Sequence, residues 1–198
     1  MTKPMGALKS GHFFNSSINR IADRCERAKI RGTWGLQCVD SQGNLKWEDK
    51  IDPNLVVNVG LDYLLDVGLA SGTQLPVWYV GLVDAFTYPS GAAGDTMASH
   101  AGWTEYVNYS EAERVRWVNA AVSSQSITNS ASKASFAINQ DTQTVEGAFL
   151  VGGANSHAKN IGSGSLYAVG AFTGGTKSVD NGDTLQVTAT FTSADDGV

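Results

Sequence analysis

The sequence is poor in several features that mark common classes of protein. It has only two cysteines, Cys25 and Cys38, which cannot make a disulfide framework and are expected to be reduced thiols in a protein assembled in the cytosol. No apolar run approaches the length of about 18 residues that would indicate a membrane span. The opening stretch MTKPMGALKSGHFFNSS has no continuous apolar core, so we expect it not to be a signal peptide.

Charged residues are also scarce, at 17% of the chain, and their place is taken by Ser, Thr, Asn, Ala and 22 glycines. This composition is typical of a turn-rich β protein. The net charge of −5 is spread unevenly. Residues 1–34 hold seven basic and two acidic side chains, whereas the rest of the chain holds seven basic and seventeen acidic ones. The pattern indicates a basic arm on an acidic body. Such an arm can pair with an acidic protein surface or with nucleic acid, but the acidic body argues against sequence-independent nucleic-acid binding by the whole chain.

The leading segment is predicted to be an anchor. Residues 1–15 show no periodicity and are interpreted as an extended arm. Residues 16–31 place apolar side chains at helical spacing with arginines opposite them, which predicts a short amphipathic helix that ends at Gly32. Its apolar stripe must be buried against the body or a neighbouring subunit. We therefore divide the chain into an anchor, 1–31, and a body, 32–198; the anchor's predicted contact residues are Ile18, Arg20, Ile21, Arg24, Arg27, Lys29 and Arg31.

The body begins with two recognisable local patterns. In TWGLQCVDSQGNLKWEDKI, alternating apolar residues on either side of Gly43 and Asn44 predict a β-hairpin. In NLVVNVGLDYLLDVGLASG, leucines at helical spacing predict one helix of roughly three turns. We expect Asn58 to cap this helix and Gly68 or Gly72 to end it.

The remainder of the chain reads as strands separated by Gly, Asn and Ser turns. The last strand is the clearest, because in DTLQVTATFT apolar and polar side chains alternate, which is typical of a half-buried antiparallel strand. The predicted fold class is mainly β, an antiparallel β-sandwich of the jelly-roll-like or Ig-like kind, with an N-terminal basic arm and short helix, a hairpin and one further short helix. The predicted strands are 76–84, 103–109, 113–122, 132–139, 144–152, 164–173 and 183–193.

No motif for catalysis, cofactor binding or metal binding stands out. His12, His100 and His157 stand alone, without the spacing that would let them share a zinc ion. The glycines of VGGANSHAKNIGSGS lack the Lys-Ser/Thr of a phosphate loop, and GSGS lacks the flanking residues of a nucleophile elbow. Paired carboxylates for glycoside hydrolysis stay a minor hypothesis, since sequence cannot show their separation; the candidate acids are Asp84, Asp95, Glu105, Glu111 and Glu113. We expect no catalytic, cofactor or metal residues.

One stretch, SHAGWTEYVNYSEAERVRW, is dense in aromatic and charged side chains. Cross-strand Glu–Arg pairing and a half-buried tryptophan explain these residues without a reaction. Tyr, Trp and Arg are enriched at protein interfaces, so we interpret the stretch as a contact rim on the outside of the body. The rim's predicted residues are Trp103, Tyr106, Tyr109, Arg114 and Arg116.

The order of motifs RGTWGLQCVDSQGNLKWEDKIDPNLVVNVGLDYLLDV, WYVGLVD, AAGDTMASHAGWTEY, SASKASFAIN, GAFLVGG and SLYAVGAFTGGTKSVDNGDTLQVTATFT carries a resemblance. It resembles a family of small tailed-bacteriophage accessory virion proteins, variously labelled tail-fibre, head-decoration or structural proteins. The resemblance covers about residues 32–193 and brings no catalytic residues. It implies a non-enzymatic homo-oligomeric virion protein, present in many copies and assembled in the host bacterial cytoplasm, with a trimer as one arrangement.

Two placements on the particle are compatible with an arm followed by a body. In the favoured one, the arm docks a short tail-fibre or tail-accessory protein to the tail or connector, and the body points outward, where a host surface receptor is a candidate partner. In the alternative, the body decorates the capsid and the arm clamps the major capsid protein. A minor alternative is a glycan-binding or glycan-cleaving receptor module, with Trp78, Tyr79, Trp103 and Tyr106 lining a groove beside Glu105.

Overall fold

A computed structural model describes residues 28–87 and 91–195. The chain divides into two units, one of residues 30–193 and one formed by its ends, residues 1–29 and 194–198. The described elements are β1 (Ala28–Val39), β2 (Leu45–Ile51), β3 (Leu55–Val56), α1 (Asn58–Leu69), β4 (Trp78–Phe86), β5 (Trp103–Tyr106), β6 (Val115–Arg116), β7 (Ser126–Thr128), β8 (Ala134–Ala137), β9 (Gln143–Val145), β10 (Gly147–Gly152), β11 (Ser165–Ala171), β12 (Lys177–Val179) and β13 (Thr184–Asp195).

Two larger sheets and one small one organise these strands. The first sheet has the order β2-β1-β13-β7, and β8 also pairs with β13. The second sheet has the order β3-β11-β10-β4-β5, and β6 also pairs with β4. β12 and β9 form a separate two-stranded sheet. The pairings of β2, β7 and β8 in the first sheet and of all the strands in the second are antiparallel, so the predicted mainly β class is confirmed.

The main core lies between the two larger sheets, which is consistent with a β-sandwich. Alternate residues of β1 and β13, such as Trp34, Leu36 and Leu185, are buried from the first sheet, and Leu82 and Leu150 meet them from the second. β10 is buried along its whole length, because a second apolar cluster covers the other face of its sheet. The second sheet is therefore an interior layer, which explains why β10 reads as the continuous apolar run GAFLVG instead of an alternating one.

The predicted hairpin and helix are both present. β1 and β2 pair antiparallel around the turn that contains Gly43, whose φ of 85° requires the left-handed region that glycine favours. α1 occupies the predicted position, but Asn58 is its first residue, and the capping position is Val57, which makes no side-chain hydrogen bond. The backbone N–H groups of Ala70 and Gly72 both donate to the Asp66 carbonyl, which ends the helix between the two glycines proposed.

The predicted helix over residues 16–31 is wrong at its end. Residues 28–31 belong to β1, which continues with buried and exposed residues alternating from Arg31 to Leu36. Pairing with neighbouring strands decides the conformation here, since tertiary contacts override a short helical pattern. The rest of that helix lies outside the described residues.

Each of the seven predicted strands corresponds to at least one observed strand. Most of the observed strands are shorter, but β4 has the predicted length and is shifted by two residues, and β13 extends two residues beyond the predicted end. The run at 144–152 is divided between β9 and β10, which belong to different sheets. Three short strands, β3, β7 and β12, were not predicted, because two or three residues are too few to show alternation.

Candidate functional site

An aromatic cavity opens at one end of the sandwich, between the two larger sheets and beneath α1. Its volume is about 320 Å³. The second sheet contributes Trp78, Leu150 and Tyr167, and the first sheet contributes Ile127 and Phe191. The remaining lining residues are Tyr63, Leu64, Val67 and Gly68 from α1, Gln74 from the segment after it, and Trp117 from the segment after β6.

The aromatic rings of this cavity contact one another edge to face. Tyr63 meets Trp78 with ring centroids 5.3 Å apart, Trp78 meets Tyr167 at 5.7 Å, and Tyr167 meets Phe191 at 5.0 Å. Burial raises the pKa of Tyr167 to about 12, so its hydroxyl stays neutral at physiological pH. Trp117 also meets Phe191 edge to face, with ring centroids 5.9 Å apart. Such rings offer an apolar occupant both area and oriented edges.

Trp117 adds one polar feature to this wall. Its side chain is buried, and its Nε1 has no hydrogen-bond partner among the described residues. A buried donor left unpaired costs about 1–3 kcal/mol, so an acceptor supplied by an occupant would be favoured there.

The outer face of α1 carries an exposed row of leucines. Leu61, Leu65 and Leu69 are 38%, 59% and 84% exposed. They recur every four residues and therefore lie along one face of the helix. Only part of the helix circumference meets the core, through Leu64 and the buried Gly60.

The start of α1 lies close to β11. The Val57 N–H donates to the Tyr167 carbonyl at 3.1 Å. A Cβ atom at Gly60 would lie only 2.5 Å from the same carbonyl oxygen, so glycine is needed for this approach. This contact directs the opposite face of the helix, with its leucine row, toward solvent.

The predicted contact rim is wrong for four of its five residues. Trp103, Tyr106, Tyr109 and Arg114 are at most 3% exposed, so they belong to the interior. Only Arg116 is exposed. The prediction of an exposed rim was wrong for two reasons. β6 is only two residues long, and the second sheet is covered on both faces, so side chains on either face are buried.

Glu105 and Arg114 instead form a buried ion pair. Arg114 Nε donates to Glu105 Oε1 at 2.8 Å and Nη2 donates to Oε2 at 2.7 Å. The guanidinium also donates to the carbonyl oxygens of Ser156 and Ile161, at 3.0 and 3.2 Å. The Asn160 N–H completes the set by donating to Glu105 Oε2 at 2.7 Å. The pair therefore fastens the loop between β10 and β11 to the second sheet. Glu105 and Arg114 do pair, but Arg114 lies just before β6, so this is not the cross-strand pair that was expected.

The other acids proposed for sugar chemistry accept hydrogen bonds within the fold or lie on different elements. Asp95 Oδ2 accepts from Trp103 Nε1 at 2.9 Å, and both Glu111 oxygens accept from the Ala137 N–H at 3.2 Å. Burial, and the nearby charge of Glu146, raise the pKa of Asp84 in β4.

The proposed sugar groove of Trp78, Tyr79, Trp103 and Tyr106 does not form. Trp78 lines the aromatic cavity and Tyr79 lies against His157, whereas the other two are buried. A hollow of about 160 Å³ does lie beside Glu105, lined also by His100 and Trp103, whose rings stack at 3.8 Å. Both oxygens of Glu105 are already held by Arg114, so the hollow lacks a free acid.

The predicted anchor falls largely outside the described part of the chain. Ile18, Arg20, Ile21, Arg24 and Arg27 are not among the described residues. Lys29 and Arg31 lie in β1, and both are exposed.

Within residues 28–87 and 91–195, no group of three or more His, Cys, Asp and Glu side chains is placed to hold a metal ion. In the same part of the chain, no helix has the length and apolar character needed to cross a membrane. No protein-family model, curated protein or solved structure matches the sequence or the fold.

The cavity and the leucine row escaped sequence reasoning for different reasons. The cavity's rings come from four elements and one connecting segment, and no spacing in the sequence connects Tyr63 with Trp117 or Phe191. The leucines of α1 can be recognised in the sequence. Which side of the helix stays exposed, however, depends on how α1 packs against β11, and the sequence does not show that.

Proposed function

We propose that this protein is a non-enzymatic structural protein of a tailed-bacteriophage particle, a short tail-fibre or tail-accessory protein. It docks to the tail or connector through its leading segment, residues 1–31, and assembles as a homo-oligomer. The order of its motifs supports this assignment through the resemblance to small accessory virion proteins.

The exposed leucine row of α1 is the observation that carries the proposal. Leu61, Leu65 and Leu69 form a row and are not scattered single residues, and a contiguous exposed apolar surface marks a site of contact with a partner. The acidic residues nearest to the aromatic stretch hold the fold together, as in the Glu105–Arg114 pair. A body with apolar contact surface and structurally committed acids suits assembly better than turnover.

Capsid decoration is the second candidate, with the major capsid protein as partner. The unit of residues 30–193 is built from sheets, and its described residues, 30–87 and 91–193, contain no shaft that would hold a receptor-binding tip away from the particle. A body lying flat on capsomers needs no shaft, and this is the feature that favours the alternative.

Charge neutralisation of the anchor tests the proposal. The full chain with Arg20, Arg24 and Arg27 all changed to Gln is compared with a control in which Lys50, Arg116 and Lys133, exposed on the body, are changed to Gln. Each is supplied to phage lacking the wild-type protein, and copies per purified particle are measured by quantitative mass spectrometry. We expect at least a tenfold loss for the anchor variant and little for the control. Equal incorporation of both would contradict docking through the leading segment.

The position of the wild-type chain in a particle reconstruction separates tail from capsid. Release of sugar from host surface glycans by the purified wild-type protein would refute the non-enzymatic assignment.

A further inference from the structure

The aromatic cavity and the leucine row of α1 form one continuous apolar surface. Gly68 lines the cavity and lies three residues after Leu65 of the row, so the two are neighbours on the helix surface. A single occupant can therefore enter the cavity and continue across the row. We name this combined area the α1 surface.

Acidic residues border the α1 surface. Asp62 and Asp66 are exposed on the helix, and α1 itself contains no basic residue. Pairing of two α1 helices from different copies would bring these carboxylates together, which is unfavourable. A basic partner is favoured instead, because it would complement both charges.

An occupant of the α1 surface therefore needs three kinds of side chain in a fixed order. The cavity, walled by Trp78, Tyr167 and Phe191, suits an aromatic side chain. The leucine row suits an aliphatic stripe, and Asp62 and Asp66 suit arginines beside that stripe.

The leading segment has these features in this order. Phe13 and Phe14 come first, the predicted apolar stripe of Ile18 and Ile21 follows, and Arg24, three residues after Ile21, lies beside the stripe in the predicted helix. We propose that residues 13–24 of one copy bind the α1 surface of a second copy, with the phenylalanines in the cavity and the isoleucines on the leucine row. This rests on the proposed function only in treating the leading segment as a docking device; its acceptor here is a neighbouring copy.

The dimensions are compatible with this arrangement. Ile18 lies four positions after Phe14, a distance of about 6 Å in a helix and about 13 Å in an extended chain. A helix with its side chains is about 10 Å across, so the cavity beneath α1 and the row on its outer face lie within that range. A backbone carbonyl entering with the phenylalanines would also give an acceptor to Trp117 Nε1, which has none among the described residues.

Disulfide trapping between full-length chains tests the proposal without any phage particle. All chains carry Cys25→Ser, and Cys38 is fully buried. A tagged chain with Phe14→Cys is refolded together with an untagged chain carrying Gln74→Cys at the cavity. The matched control chain carries Ser41→Cys, an exposed polar position in the β1–β2 turn. After mild oxidation with diamide, we expect the tagged–untagged heterodimer to exceed the control at least tenfold on non-reducing gels.

Two results would overturn the proposal. One is a heterodimer yield equal to that of the Ser41→Cys control. The other is trapping only when Phe14→Cys and Gln74→Cys are in the same chain, which would place the segment on its own body.

A second variant pair gives an independent readout in solution. Leu65→Glu, on the row, is compared with Leu45→Glu, on β2, because the two leucines are 59% and 57% exposed. Sedimentation velocity of the full-length proteins should show a smaller assembly for Leu65→Glu alone, and an unchanged assembly would also overturn the proposal. Neither the disulfide trapping nor the sedimentation measurement uses phage particles. If the protein failed to join phage particles, the proposed function would be refuted and both of these measurements would still test the contact between copies.

Discussion

Replacing Arg114 by methionine should strongly destabilise the protein. Methionine has a similar length and no charge, so the change removes the guanidinium without leaving a large void. Arg114 and Glu105 have side chains that are 0% and 4% exposed, and the two bonds between them are 2.8 and 2.7 Å long. Without Arg114, the carboxylate of Glu105 is left buried with only the Asn160 N–H as a partner among the contacts described above.

The expected loss in the free energy of unfolding is about 3–5 kcal/mol, the usual cost of breaking a buried ion pair on one side. Two carbonyl oxygens, those of Ser156 and Ile161, lose their donor at the same time. Arg114 Cζ also lies 5.2 Å from the centre of the Phe149 ring, so a cation–π contact is lost as well. With a urea dependence of about 2 kcal/mol per molar, the midpoint of unfolding should fall by roughly 2 M.

Urea unfolding followed by tryptophan fluorescence measures this change. Arg116→Met is the matched control, because Arg116 is two residues away and exposed; it should shift the free energy of unfolding by less than about 0.5 kcal/mol. The double variant with Glu105→Gln and Arg114→Met should be more stable than Arg114→Met alone, since it removes the unpaired charge. Arg114→Met within about 0.5 kcal/mol of the control would refute the view that this pair fastens the loop.

Three further predictions concern α1, β4 and β1. Gly68→Ala should stabilise the protein by up to about 1 kcal/mol, because a Cβ at this position meets no atom within 4 Å. Gly60→Ala should destabilise it, because the new Cβ would meet the Tyr167 carbonyl. The thermal midpoints of the two variants should therefore shift in opposite directions. Asp84→Asn should stabilise at pH 7, because burial raises the pKa of Asp84 and its ionised form is disfavoured in the fold. That gain should vanish below about pH 4, where the unfolded chain is protonated as well, and urea titrations at both pH values check it. The Cys38 thiol, whose pKa burial raises to about 12, should not react with Ellman's reagent at pH 8 in a Cys25→Ser chain until denaturant is added; native reactivity would contradict its burial.

The regular parts of the fold were predictable because their residues alternate. Leu185 and Val187 in β13 point inward between polar neighbours, and one buried face produces that pattern. β10 could not be assigned to an interior layer in the same way, since burial on both faces and a short helix both give an apolar run.

The candidate site was far less predictable. Trp103 and Arg114 have the composition of an interface, but burial of Arg114 depends on Glu105 and on carbonyl oxygens some forty residues later in the chain. Leu65 shows the reverse case: it belongs to a helical apolar pattern and is nevertheless exposed to solvent. Both outcomes depend on packing between elements that are distant in sequence.

β2 lies at the margin of the first sheet, and its composition limits how that sheet can grow. Glu48 and Lys50 lie two residues apart along the strand and are exposed. A foreign strand pairing there would have to accommodate these charges, which is how natural sheets avoid runaway stacking into fibrils. Even at high local concentration, this edge should therefore meet a neighbour through defined side-chain contacts and not through a continuous backbone ribbon.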